Sequence, residues 1–176
     1  MIESEKIDEL IMKMQDQEDS EAFKYSDRLA KIGGEEVIHK LIPLLRHENQ
    51  DVKYLAARTL GKMEDNSAAL EPLFEAINDK SNPDPNGGLT EVLTEFDCSE
   101  KFLDVFKLYL FGNFKTSAMA KLVLDYEEFD ITPRTIRKAE KHWNHFIHNV
   151  KHDENFELKK EEVETILNDL KGLFEG

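Results

Sequence analysis

The chain has 176 residues, 40% of them apolar, which is the size of one domain with enough hydrophobic side chains for a continuous core. Its 37 acidic residues against 23 basic ones give a net charge of −14, a field that repels phosphate backbones and anionic headgroups and argues against nucleic acid as a partner. The longest near-apolar run, Leu41 to Leu45, contains a proline and is far too short to cross a bilayer, and a single cysteine, Cys98, excludes an internal disulfide framework or a multi-cysteine zinc site.

The chain begins with Glu3, Glu5, Asp8 and Glu9, unlike the cationic start of a signal peptide, so a cytoplasmic location without membrane contact is expected. Twenty leucines against seven valines favour helix, and no segment alternates with period two. Apolar residues recur instead at three-and-four spacing, which predicts an all-α fold. Ile7, Leu10 and Met14 mark a helix over 3–15, with Ser4 offered as its cap; Asp19 or Ser20 would cap a second over 20–32. Val37, Ile38, Leu41, Leu44 and Leu45 mark 35–46, followed by helices over 51–63, 67–78 and 86–97. Ser99-Glu100 would open a helix over 99–111, and another follows over 115–127. Thr132-Pro133, a cap with proline in the first turn, opens 133–151, and a last helix covers 157–173. Connections of a few residues make successive helices antiparallel, giving about five pairs.

The pairs repeat. Leu60-Gly61-Lys62-Met63 is echoed upstream by Leu29-Ala30-Lys31-Ile32 and downstream by Leu93-Thr94-Glu95-Phe96, and the turn His47–Val52 by Lys80–Pro85. A period near 31 residues suits two short helices and two turns, each unit too small to bury its own apolar face. The segments Leu41-Ile42-Pro43-Leu44-Leu45 and Asn49 to Gly61 resemble a HEAT repeat of the short, bilin-lyase-like bacterial kind. Asp51 and Val52 open the second helix as in that pattern, Ala56 stands where helices touch, and Leu60-Gly61 closes it; Asp51 is expected to cap the helix. Residues 21–32 carry a weaker copy. In 84–96, Pro85 replaces the valine and Gly88 falls where a core residue belongs. The resemblance implies one α-solenoid domain over 1–176: a right-handed superhelical stack with repeats at 3–32, 35–63, 67–97 and 99–127, a C-terminal cap over 131–176, and second helices lining a concave binding side. It implies a binding surface and no reaction, the motif residues being structural.

Catalytic patterns are missing to match. No GxSxG, P-loop or dinucleotide fingerprint occurs, and Gly33-Gly34 and Gly87-Gly88 read as helix ends or turns. Cys98 stands between Asp97 and Ser99-Glu100, where negative charge disfavours a thiolate. Four histidines, His142, His145, His148 and His152, fall on one helix face with Arg134, Lys138 and Lys141, opposite Ile136, Ala139, Trp143, Phe146, Ile147 and Val150. A solvated, pH-sensitive face is the expectation. His148 and His152, one turn apart, are the nearest approach to a metal pair, but no third ligand or HExxH motif accompanies them. No catalytic residue and no cofactor is assigned.

Charge distribution is more informative. Residues 61–100 carry ten acids and two bases and residues 1–30 nine and four, while 31–60 is close to balanced. Asp79, Asp84, Glu91, Glu95 and Asp97 cluster around the Pro-rich turn of the third repeat, with Tyr54 on the preceding repeat. These six are the predicted partner-binding residues, read as an electrostatic docking surface for a basic protein, one form of which is a toxin such as a nuclease held by a bacterial immunity protein or antitoxin. The alternatives are a bilin-lyase-like chromophore protein, a general HEAT adaptor or regulator, and nucleic-acid binding by the Arg134–His152 face, against which the net charge counts.

Overall fold

The computed structural model describes residues 2–175, and for Ile2 the backbone alone. The described residues form helices and turns without strands, and the chain divides into two compact units, Met1–Asp97 and Cys98–Gly176. Unit one contains α1 (Ile2–Gln15), α2 (Ala22–Ile32), α3 (Gly34–Leu41), α4 (Gln50–Lys62), α5 (Ser67–Asn78) and α6 (Gly88–Val92), with 3₁₀ segments at Ile42–Arg46 and Leu93–Glu95. Unit two contains α7 (Phe102–Phe111), α8 (Phe114–Tyr126), α9 (Pro133–Asn149) and α10 (Glu154–Gly172).

Unit one is an α-solenoid of helix pairs. The second helices pack in a row, α2 on α4 on α6, and the first helices form the adjoining row, α1 beside α3 and the 3₁₀ segment after α3 beside α5. Between the rows lie Leu29, Val37, Leu41, Leu45, Leu60, Leu73, Leu89 and Leu93, all buried. Ala56 and Ala57 are fully buried on α4, where small side chains let helices approach closely. Gly61 does the same at the other end of α4: a Cβ there would stand 2.9 Å from Val92 Cγ1 and 3.0 Å from Glu95 Cβ.

Side chains tie neighbouring pairs together at close to one repeat's separation. Thr59 Oγ1 lies 2.8 Å from Ser26 Oγ and 2.6 Å from the Leu55 carbonyl. Arg58 donates to Ser26 at 2.7 Å and pairs with Asp27 at 2.9 Å. Asn82, buried, donates to the carbonyls of Leu45 at 2.9 Å and Ala76 at 3.0 Å, and Asn66 reaches those of Gly61 and Glu95. The buried polar groups of Ser26, Thr59 and Asn82 are thus satisfied across the same seams that bury the leucines.

In unit two, α7 and α8 form a pair, and α9 packs on both α7 and α10. Trp143, Phe146 and Phe156 stack, with ring centroids 5.6 to 6.4 Å apart. Lys159 threads this region, donating to the Tyr109 carbonyl at 2.7 Å and Ser117 Oγ at 2.9 Å, and burial holds its ammonium below the usual lysine range. Thr132 caps α9 as expected, in a full capping box with Thr135.

Several boundaries differ from expectation. Pro43, lacking an N–H, ends α3 at Leu41 and turns 42–46 into 3₁₀ helix. The helix expected over 86–97 shortens to α6 and a 3₁₀ turn, because the Pro83-Asp84-Pro85 turn and the left-handed Gly87 (φ 64°) occupy the preceding residues. α7 begins at Phe102 rather than Ser99. α10 begins earlier, because Asp153 accepts from Phe156 N at 3.1 Å. Ser4 lies inside α1, its hydroxyl bonded to the Glu36 carboxylate. Asp19 instead folds the α1–α2 turn, accepting from Glu21 N at 2.8 Å and Tyr25 OH at 3.0 Å.

Gly61→Val should lower unit-one stability by about 1–3 kcal/mol through overpacking against Val92 and Glu95, measured by urea denaturation; unchanged stability would show that this helix crossing has room to spare.

Candidate functional site

The candidate site is built on the N-terminal end of α4. Asn49 caps it, its side chain accepting from Asp51 N at 2.9 Å and Val52 N at 3.1 Å. Asp51, the expected cap, instead lies in the first turn; the chain starts the helix two residues sooner, and a carboxylate there suits the positive end of the helix dipole. With this register Val52, Leu55 and Ala56 point inward, Asp51 is exposed, and Tyr54 is half-buried.

Two clefts flank Asp51 and Tyr54, which line both. The first, about 280 Å³, lies against the α1–α2 turn, with Met14, Phe23, Val52 and Leu55 as apolar wall and Asp16 and Asp19 at the turn. The second, about 180 Å³, lies between α4 and α6 and is lined by Lys53, Asp84, Asn86, Gly88 and Glu91 among others. Asp84 accepts from Leu89 N at 3.2 Å, fixing its carboxylate at the start of α6. Lys53 is 3% exposed and donates to the Pro83 carbonyl at 2.9 Å. Burial lowers its pKa, while nearby Asp84 acts in the opposite direction. Gly88 faces Tyr54: a Cβ on it would lie 3.3 Å from Tyr54 Cδ2. The residue that looks out of place in the repeat pattern is the one that leaves space beside the tyrosine.

A family model of HEAT repeats matches residues 7–94, half of the chain. The chain belongs to the HEAT-repeat family. No curated protein matches it. The matched HEAT repeats run from α1 to the 3₁₀ turn after α6 and contain both clefts. HEAT repeats are protein-interaction modules, generally non-enzymatic.

Of the predicted partner-binding residues, Tyr54, Asp84 and Glu91 come together on the α4–α6 cleft. Asp79, Glu95 and Asp97 line neither cleft. Asp79 sits at the end of α5, accepting from Ser81 N and Oγ and from Arg46 Nε at 3.2 Å, and the Ser81 hydrogen bonds first, then Arg46, hold its carboxyl below the usual range. Glu95 lies against Gly61, and Asp97 is exposed at the end of unit one. Sequence reasoning passed over Lys53, Phe23 and the acidic α1–α2 turn; a lysine directly after the core residue Val52, and a glycine at an expected core position, were the available signals.

Three of the four histidines, His142, His145 and His148, lie on α9, and His152 does not. α9 ends at Asn149, whose side chain donates to the His145 carbonyl at 2.7 Å, so His152 lies beyond it, stacked on Phe156 with ring centroids 3.9 Å apart. His148 Nδ1 bonds the Asn144 carbonyl at 2.6 Å and His152 Nε2 the Ile147 carbonyl at 2.8 Å. Among the described residues, no group of three or more His, Cys, Asp or Glu is placed to hold a metal ion. Cys98 is buried, its backbone N–H donating to Glu127 at 3.1 Å. No helix among the described residues is long and apolar enough to cross a membrane.

Asn49→Ala removes both cap bonds and should destabilise the protein by about 1 kcal/mol, with faster amide exchange at Asp51 and Val52; unchanged exchange at both positions would show that the cap does not hold this end of α4.

Proposed function

We propose that the chain is a non-enzymatic binding module that recognises a basic partner protein through the acidic clefts beside Tyr54, in the manner of an immunity protein or antitoxin covering a basic toxin such as a nuclease. The observation carrying this reading is the grouping of Asp16, Asp19, Asp51, Asp84 and Glu91 around two clefts with aromatic and aliphatic walls. Apolar walls supply burial and a carboxylate rim supplies attraction and register, which is how interfaces gain affinity and specificity together. The charge is also lopsided: residues 1–97 hold 22 acids and 11 bases, a net −11, against 15 acids and 12 bases in 98–176. The unit with the clefts therefore dominates long-range steering of a cationic protein. A nuclease suits such a module because a site built for phosphates attracts carboxylates.

The test compares three forms of the full chain binding the basic protein they retain from the source cells. Asp84→Lys with Glu91→Lys should weaken binding about tenfold or more, roughly 1.4 kcal/mol per factor of ten, and flatten its salt dependence. Glu95→Lys, at a residue that lines neither cleft, should change affinity by about threefold at most. Affinity that stays constant from about 0.1 M to about 1 M salt, over which the screening length falls from about 10 Å to about 3 Å, would overturn the electrostatic reading.

A further inference from the structure

In unit two, α9 and α10 carry opposite charge. α9 holds Arg134, Arg137, Lys138 and Lys141 against one acid, Glu140. The stretch of α10 from Glu154 to Glu164 holds five glutamates against Lys159 and Lys160. α7 marks the inner side of the pair: Phe111 meets the ring of Phe146 at 5.7 Å, and Tyr109 donates its hydroxyl to Glu162 and accepts at its carbonyl from Lys159. On the side turned from α7, Lys171 pairs with Glu140 at 2.6 Å. On a helix advancing about 100° per residue, Arg137, Lys141 and His148 lie within about 100° of Glu140 on that outer side, and Glu154, Glu157, Glu161 and Glu164 within about 100° of Lys171. All seven are exposed. One face of unit two therefore shows a basic row beside an acidic row, with the Glu140–Lys171 pair between them.

Among the described residues, Arg137, Lys141 and the four glutamates of the acidic row form no ion pair. The glutamates follow at spacings of three and four, so like charges stand one turn apart and repel. A trough of about 560 Å³ runs along them, with Leu158 at its side, and a groove on a helix surface takes the side chains of a neighbouring helix. A uniformly basic partner would be repelled by Arg137 and Lys141, and a uniformly acidic one by the glutamates. A second copy of the chain satisfies both rows. Turned by 180° about a line along the seam, it lays its basic row on the acidic row and its acidic row on the basic one, the self-matching of an isologous contact. Charge permits this approach through unit two, where 98–176 hold 15 acids and 12 bases, while 1–97, at a net −11, repel their like. From these two unpaired rows of opposite charge, we infer that the outer α9–α10 face is a two-fold docking surface for a second copy of this chain. Arg137 and Lys141 of each copy pair with the Glu157, Glu161 and Glu164 row of the other. Exposed ion pairs contribute little singly, so the association is weak and salt-sensitive.

Sedimentation equilibrium of the full chain reads this association. In about 0.1 M salt the mass should rise with concentration from monomer toward dimer, and in about 1 M salt it should return to monomer, as the screening length falls from about 10 Å to about 3 Å. Arg137→Glu with Lys141→Glu turns the basic row acidic, and Glu161→Lys with Glu164→Lys reverses the middle of the acidic row. Each double variant alone should associate about tenfold or more weakly than the wild type, because like charges then face each other across the two-fold. An equimolar mixture of the two should associate at least as tightly as the wild type, since in the mixed pair every reversed charge meets its opposite; that recovery also shows both variants to be folded. A wild type that stays monomeric at about 1 mM protein in about 0.1 M salt would overturn the docking surface. So would an association that neither variant weakens, or one that mixing fails to restore.

Discussion

The structure of unit one depends on α4 being held between α2 and α6. Leu60, Ala56 and Ala57 are fully buried because α4 has a packed neighbour on each flank. Stacking turns short amphipathic helices into a common core, and each layer stabilises the next. The same constraint explains the residue choices at the contacts. Ala56, Ala57 and Gly61 are small because backbones approach there, and Ser26, Thr59 and Asn82 are polar because they satisfy hydrogen bonds that the layers leave open.

That stacking also makes the candidate site. Rows of second helices leave grooves between successive members, and the residues at a groove's rim come from different repeats. Tyr54 comes from the second pair, Asp84, Gly88 and Glu91 from the third, and Phe23 from the first. A surface assembled in this way is free to vary in chemistry without disturbing the inward-facing leucines. Here it carries carboxylates around aromatic and aliphatic walls, with a buried lysine beneath them.

Much of this was legible in the residues. Three-and-four spacing identified nearly every helix, and the period near 31 reappears as hydrogen bonds linking Ser26 to Thr59 and Lys53 to Pro83. Thr132 announced its capping box. Where boundaries moved, local chemistry outweighed periodicity: Pro43 cut a helix, Asn49 rather than Asp51 capped one, and Asn149 ended one before His152. The lining of the α4–α6 cleft was partly visible, in Asp84 and Glu91, because acidic residues beside a Pro-rich turn stand out. Asp79, Glu95 and Asp97 share that stretch of chain and lie elsewhere, since nearness in sequence does not decide which groove a side chain borders. Lys53 and Gly88 were hidden for the opposite reason: their roles exist only once α4 and α6 face each other.

Amide hydrogen exchange measured residue by residue on the native protein tests the central claim most directly. If α4 is the helix on which its neighbours stack, the amides of Leu55 through Leu60 are the slowest to exchange in unit one, slower than those of α2 and α6, and they open only with the whole unit. Exchange from α4 as fast as from α2 and α6 would contradict the stacked arrangement, and with it the grooves on which the proposed binding surface is built.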